Sequence, residues 1–165
     1  MNYTAFFEGH EPDDKHRMIT DFQRYGDFRL EWSHNYIQRI FPLQEPSMFS
    51  NAPLITNAEI KEIRESKPAQ DNIRKVYMTM LRFWKIDDAH IRKWGNDAPV
   101  RFWNTPDNHN HFRMTRVLKS LNLLGMEREY QDFSTRLSYL LSLRDSGVVH
   151  ISDETSQIWK ENMGA

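Results

Sequence analysis

The sequence predicts an all-α fold: a single multi-helix domain of about five to eight helices, with a proline-rich loop after the second. Three observations carry this. Apolar residues recur at helical spacing along most of the chain, helix start and stop signals punctuate it, and no two alternating segments read as a strand pair. At 165 residues the chain fits one domain and can bury about two-thirds of its unfolded surface without a covalent staple. Cysteine is absent, which removes disulfides, thiol nucleophiles and sulfur-ligated metals. Aromatics make up 13% of the chain, with five Trp and ten Phe, and are expected to fill a large helical core.

Residues 1–12 read as an irregular N-terminal arm punctuated by Glu11-Pro12, so the helical domain is expected over 13–165. Asp13 or Asp14 suits the cap of a helix reaching Tyr25, with Met18 and Phe22 inward and Gly26 as its stop. A second helix is expected to run unbroken over 27–41. Pro42 ends it, because the residue before a proline disfavours helical geometry. The three prolines of residues 42–53 leave a loop that Phe41, Leu43, Met48 and Phe49 must pin.

"ITNAEI" (55–60) is a helix start, with Thr56 as N-cap, Glu59 closing a capping box, and Ile55 and Ile60 as the staple. That helix is short, and Ser66-Lys67-Pro68 separates it from the next. There Ile73, Val76, Tyr77, Met80, Leu81 and Trp84 keep helical spacing without a miss. Ile91 and Trp94 fit a short helix, with Gly95-Asn96 as its stop and Pro99 beyond. The tripeptide RFW occurs at 82–84 and again at 101–103, but its flanks differ and no repeat follows. A further helix starts between Thr105 and Asn108, with Pro106 in its first turn, and ends at Gly125. The next covers 127–145, carrying Tyr130, Phe133, Leu137, Leu140 and Leu141 on one stripe. "VVHI" (148–151) reads as briefly extended, and Ser152 caps a last short helix carrying Ile158 and Trp159.

The formal net charge is -1, so nothing global favours nucleic acid or anionic lipid as a partner. No run approaches the ~18 apolar residues of a membrane span. With no secretory leader and no basic nuclear-import cluster in view, a cytoplasmic protein is expected. There is no GxSxG elbow, no P-loop and no HExxH, and six glycines are too few for a phosphate-cradling loop. The pairs Asp13-Asp14 and Asp87-Asp88 suit helix first turns better than acid–base dyads. No catalytic residue, cofactor or metal is expected.

Polar groups at helix-core positions are the informative feature. "SHNYIQRIFPLQEP" (33–46) inserts His34, Asn35, Gln38 and Arg39 into a helix that is apolar nearly all round. On the helix after Asn108, His109, Arg113, Arg116 and Ser120 share a stripe at about 100° per residue, with Lys119 at its edge. Phe112, Val117, Leu118, Leu121 and Leu124 form its apolar side. The histidine end of that stripe is the helix N-terminus, where free amides favour an anion. Three readings stay open: capture of a carboxylate or phosphate by Arg113, Arg116 and the first-turn amides; internal pairing, for instance with Glu45; and a solvated face. His109 and His111 point about 200° apart on a helix and cannot clamp one metal ion. His34 reads as a hydrogen-bonded core residue. Buried polar groups without partners cost several kcal/mol, so the two segments are expected to dock. In that arrangement Glu45 or the carbonyls of residues 42–46 meet Arg113 or Arg116.

The two segments also carry a resemblance. "SHNYIQRIFPLQEP" followed by "PLIT" (53–56), and "HNHFRMTRVLKSLNLLGME" (109–127), are similar to the two hallmark segments of the opioid growth factor receptor conserved-domain family. "YMTMLRFWKI" (77–86) resembles its helix ending in an aromatic pair, and "DFQRY" (21–25) its start, so the likeness covers about residues 20–145. It implies a recurrent polar set of His34, Tyr36, Gln38 and Glu45, then His109, Asn110, Arg113, Thr115, Arg116, Lys119 and Ser120. It also implies a receptor that binds an enkephalin peptide and has no established catalytic residues. The animal receptors carry a longer acidic stretch before the first segment and a repeat-bearing tail. The favoured expectation is a non-enzymatic module holding a short peptide or small anionic ligand between the two helices, with Tyr36 and Trp32 giving apolar contact. The alternatives are a scaffold with no ligand, or an enzyme acting on an acidic or phosphorylated substrate with His109 or His34 as base.

Overall fold

The computed structural model describes residues 1–95 and 102–164. Asn96 and Pro99, expected around the end of the short helix at Trp94, and Arg101 of the second RFW lie outside the described residues. The described residues form α1 (Tyr3–Phe7), α2 (Ile19–Phe22), α3 (Asp27–Trp32), α4 (Ile37–Ile40), α5 (Asn57–Arg64), α6 (Lys67–Trp84), α7 (His109–Leu123), α8 (Glu127–Asp145) and α9 (Asp153–Asn162), with a 3-10 turn at Ile91–Gly95 and no strand. The all-α expectation holds, and the count exceeds the expected range because several helices are only four to six residues long.

The three long helices follow their sequence signals. Ser66 Oγ accepts from Ala69 N to start α6, and all six residues of its predicted stripe are buried. Thr56 and Glu59 close the capping box of α5 in both directions. The α8 stripe of Tyr130, Phe133, Leu137, Leu140 and Leu141 faces the core. Ser152 Oγ caps α9 at Thr155 N, and Trp159 is fully buried. Four of the five tryptophans lie in the interior, and each of their indole N–H groups finds an acceptor: Asn110 Oδ1 for Trp84, Lys85 O for Trp94, Trp84 O for Trp103 and Thr115 Oγ1 for Trp159. A buried indole without an acceptor would forfeit its desolvation cost.

Three elements differ from the sequence reading. The N-terminal arm is helical at α1, and Tyr3, Phe6 and Phe7 are completely buried. Asn2 caps it at Ala5 N, and Glu59 accepts from Tyr3 N at 2.6 Å while also closing the capping box of α5. Over 13–25 only α2 is helical, because Asp13 Oδ1 is taken by the amides of Lys15 and Arg17 and holds a turn. The expected helix over 27–41 breaks at residues 33–36 into α3 and α4. "VVHI" pairs with no strand, although Val149 and Ile151 are buried. Phe112, assigned to the apolar side of α7, points outward. Among the described residues no helix is long and apolar enough to cross a membrane.

Candidate ligand-binding cleft

The break in the expected 27–41 helix has a physical cause on α7. Arg113 Nη1 donates to Leu30 O at 2.8 Å, and Nη2 donates to Ser33 O at 2.8 Å and to Glu31 O at 3.2 Å. One guanidinium thus satisfies three carbonyls at the end of α3, where the helix leaves them without intrahelical donors. The fork geometry of arginine is what allows three at once. Arg113 is buried and lies 5.3 Å from the centre of the Tyr36 ring. The Tyr36 hydroxyl donates to Leu30 O as well, and burial pushes the Tyr36 phenol well above its ordinary pKa.

One turn on, Arg116 repeats the device on α4. Its Nε donates to Phe41 O at 2.8 Å, and its Nη2 lies 3.4 Å from Gln38 O. Ser120, fully buried, donates to Pro42 O at 2.9 Å. The two motif segments therefore dock as expected, but the partners are redistributed. Glu45 meets neither arginine; it faces Lys119 Nζ at 3.3 Å. Asn110 is wholly interior: its Oδ1 accepts from Trp84 Nε1 and Arg113 Nη1, and its Nδ2 donates to Glu31. Thr115 Oγ1 donates back to His111 O while accepting from Trp159.

The anion expected at the amino end of α7 is the protein's own. Asn108 Oδ1 takes the Asn110 amide, and the Glu31 carboxylate sits against the His109 ring and the Asn110 side chain. Sequence reasoning missed Glu31, whose only signal was a carboxylate near the end of a helix that was read as continuous. Arg39 reads from the sequence as a polar group at a core position, but without a partner. That guanidinium is buried, pairs with Asp14 at 2.6 and 2.9 Å, and donates to Asn35 O and Ser50 Oγ. The Arg39 hydrogen bond holds the Asp14 carboxyl below its usual pKa. His34 is exposed rather than a core residue, and its ring centre lies 6.2 Å from that of His109.

Between α4, the loop that follows it, α7 and Ile158 of α9 lies a cleft of about 460 Å³. His34, His109, Arg113, Arg116, Lys119, Gln38 and Glu45 all line it, whereas Tyr36, Asn110 and Ser120 do not. Its apolar wall is made by Ile37, Leu43, Met48, Phe49, Phe112 and Ile158. The expected Tyr36 and Trp32 faces take no part: Tyr36 is sealed in the core, and Trp32 is exposed outside the cleft. Met48, Phe49 and Phe112 are exposed, and the two phenyl rings lie 5.8 Å apart.

The electrostatics of the floor are unbalanced. Among the described residues, neither Arg113 nor Arg116 has a carboxylate within ion-pair distance; both are held by carbonyl oxygens, with the Tyr36 ring beside Arg113. Burial pulls the Arg116 guanidinium below its ordinary pKa, opposed in part by Tyr3 and Glu45. Gln38, which also lines the cleft, is 4% exposed, and its Oε1 has no partner among the described residues. Among the described residues no group of three or more His, Asp or Glu could hold a metal ion.

A helical domain whose α7 arginines bridge to the broken helix before a proline loop is the class this geometry defines. The chain matches the model of the opioid growth factor receptor (OGFr) conserved region over residues 8–158, and it belongs to that family. The opioid growth factor receptor-like protein 1 of Mus musculus is 38% identical over 109 residues, covering 62% of this chain and 23% of that protein. The opioid growth factor receptor of Rattus norvegicus is 35% identical over 106 residues, covering 59% of this chain and 18% of that protein. That of Homo sapiens is 36% identical over 103 residues, covering 59% and 15%. The chain thus spans less than a quarter of the length of these relatives. No solved structure matches it.

Proposed function

We propose that this domain is a non-enzymatic, receptor-type binding module that works in the cytoplasm and holds a short peptide or small anionic ligand in the α4–α7 cleft. An anionic group sits at Arg116 and Lys119, and an apolar group packs on Phe49, Phe112 and Met48. The observation that carries this reading is Arg116, a largely buried cation lining an open cleft with no carboxylate in contact among the described residues. A desolvated charge left in that state is costly unless something supplies the missing counter-charge. The names of the relatives, which include opioid growth factor receptors, support a peptide as the ligand.

For Tyr36, Asn110, Arg113 and Ser120 the structural reading is favoured, because their side chains are buried and hydrogen-bonded within the fold. The site proper is then Gln38, Arg116 and Lys119, the apolar rim, and the exposed His34 and His109 at its mouth.

A thermal-shift screen over short peptides and small anions tests the proposal. A ligand present at 100 times its Kd stabilises by about 2.7 kcal/mol, and Arg116→Gln is expected to lose that gain while staying folded. A ligand whose stabilisation survives Arg116→Gln, or a screen in which no peptide or anion raises the midpoint, would sink it.

A further inference from the structure

We infer that the anionic group this cleft takes is the free C-terminal carboxylate of a peptide, read together with the N–H of that same last residue. The inference rests on the cleft reading above and concerns what kind of anion enters.

The floor makes two demands side by side. Arg116 asks for an acceptor, being a guanidinium without a carboxylate. Gln38 asks for a donor, because its Oε1 is shut away from solvent with nothing to bond. Both residues line the cleft, and Arg116 Nη2 lies 3.4 Å from the Gln38 backbone carbonyl. An orphaned buried acceptor carries its full desolvation cost, and no donor among the described residues meets it.

Candidate anions differ in whether they can meet both demands. A phosphate monoester, mostly dianionic at neutral pH, then presents acceptors alone and leaves Gln38 Oε1 orphaned. An acidic side chain has the same defect, because its carboxylate is separated from any N–H by one or two methylenes. A terminal residue carries carboxylate, N–H and side chain on a single Cα. It can place the carboxylate at Arg116, donate to Gln38 Oε1, and send its side chain to the Phe49–Phe112 rim. Lys119 supplies a second cation, held to the exposed Glu45 at 3.3 Å.

Affinity-selection mass spectrometry on matched pools of random hexapeptides tests this. Four pools are compared: free acid, C-terminal amide, free acid N-methylated at the last peptide bond, and amide carrying an internal phosphoserine. Each hydrogen bond to a charged or buried group corresponds to about a tenfold change in affinity. The free-acid pool is therefore expected to be retained about tenfold or more above each of the others. Gln38→Met removes the orphaned acceptor at similar volume. It is expected to leave the thermal midpoint unchanged or raise it, while erasing the preference for N–H over N-methyl. A purely structural Gln38 would instead lower the midpoint in Gln38→Met, which overturns the inference. Equal retention of amide and acid pools, or stronger retention of the phosphoserine pool, overturns the terminal-carboxylate assignment and leaves the cleft reading standing. Retention of no pool overturns both.

Discussion

Arg113 shows how a single side chain can decide where a helix ends. Its guanidinium occupies the carbonyls of Leu30, Glu31 and Ser33, and no other side chain has the donors or the planarity to do so. Arg113→Lys is expected to destabilise the domain by about 2–3 kcal/mol, because at least one buried carbonyl loses its donor; urea unfolding of parent and variant measures this. His111 gives a prediction of a different kind. Its Nε2 faces Trp103 O at 2.8 Å, so Nε2 must carry the proton and Nδ1 is a buried bare acceptor without a donor among the described residues. Burial pushes the His111 pKa below its ordinary 6.5. The unfolded chain then takes up a proton that the folded state refuses, so stability is lost as pH falls below about 6.5. Melting at pH 7.5 and 5.5 should show that loss in the parent and a smaller one in His111→Gln. The residue types were legible in the sequence, since polar groups at core positions announce that partners are needed. Which partner each would find was not: Glu45 carries the charge to suit an arginine, yet the backbone carbonyls stand nearer to both.

Elements with a full helical period could be read, and those shorter than two turns could not. The stripe of α6 repeats from Ile73 to Trp84, about three turns, so no misplacement of one residue could hide it. The four-residue helices α2 and α4 have no period to detect, and α1 owes its conformation to contacts with Glu59 and Glu62 more than fifty positions away. Phe112 was misassigned because apolar character was taken to mean burial, when an exposed aromatic at a cleft mouth obeys the same spacing. Gly125 is a stop signal that the structure explains fully. It closes α7 at φ +71, and a Cβ there would meet Arg64 Cγ at 2.8 Å. Arg64 in turn donates twice to Leu123 O, the last residue of α7. Gly125→Ala is expected to cost about 1–2 kcal/mol from the left-handed backbone alone, with a further loss as Arg64 is displaced. A midpoint shift that shrinks to the backbone part in the Arg64→Ala background would assign the second part to that clash.

On the scale of the whole molecule, the first seven residues are part of the core. Tyr3, Phe6 and Phe7 are fully buried, and each such side chain is worth about 1.5–3 kcal/mol of apolar burial. Net domain stability is only about 5–15 kcal/mol, so a chain lacking residues 1–7 is expected to lose cooperative unfolding; near-ultraviolet circular dichroism of that truncation reports it. α7 is the axis of the molecule in a more particular sense. Asn110 and Ser120 face inward to the broken helix and its loop, Phe112, Arg116 and Lys119 border open space, and Arg113 alone among these belongs to both. The two sets interleave along fifteen residues. A saturation library across that helix, scored once for cellular abundance and once for capture of a partner, should therefore return two nearly disjoint lists of sensitive codons. Neither screen alone would find the other's.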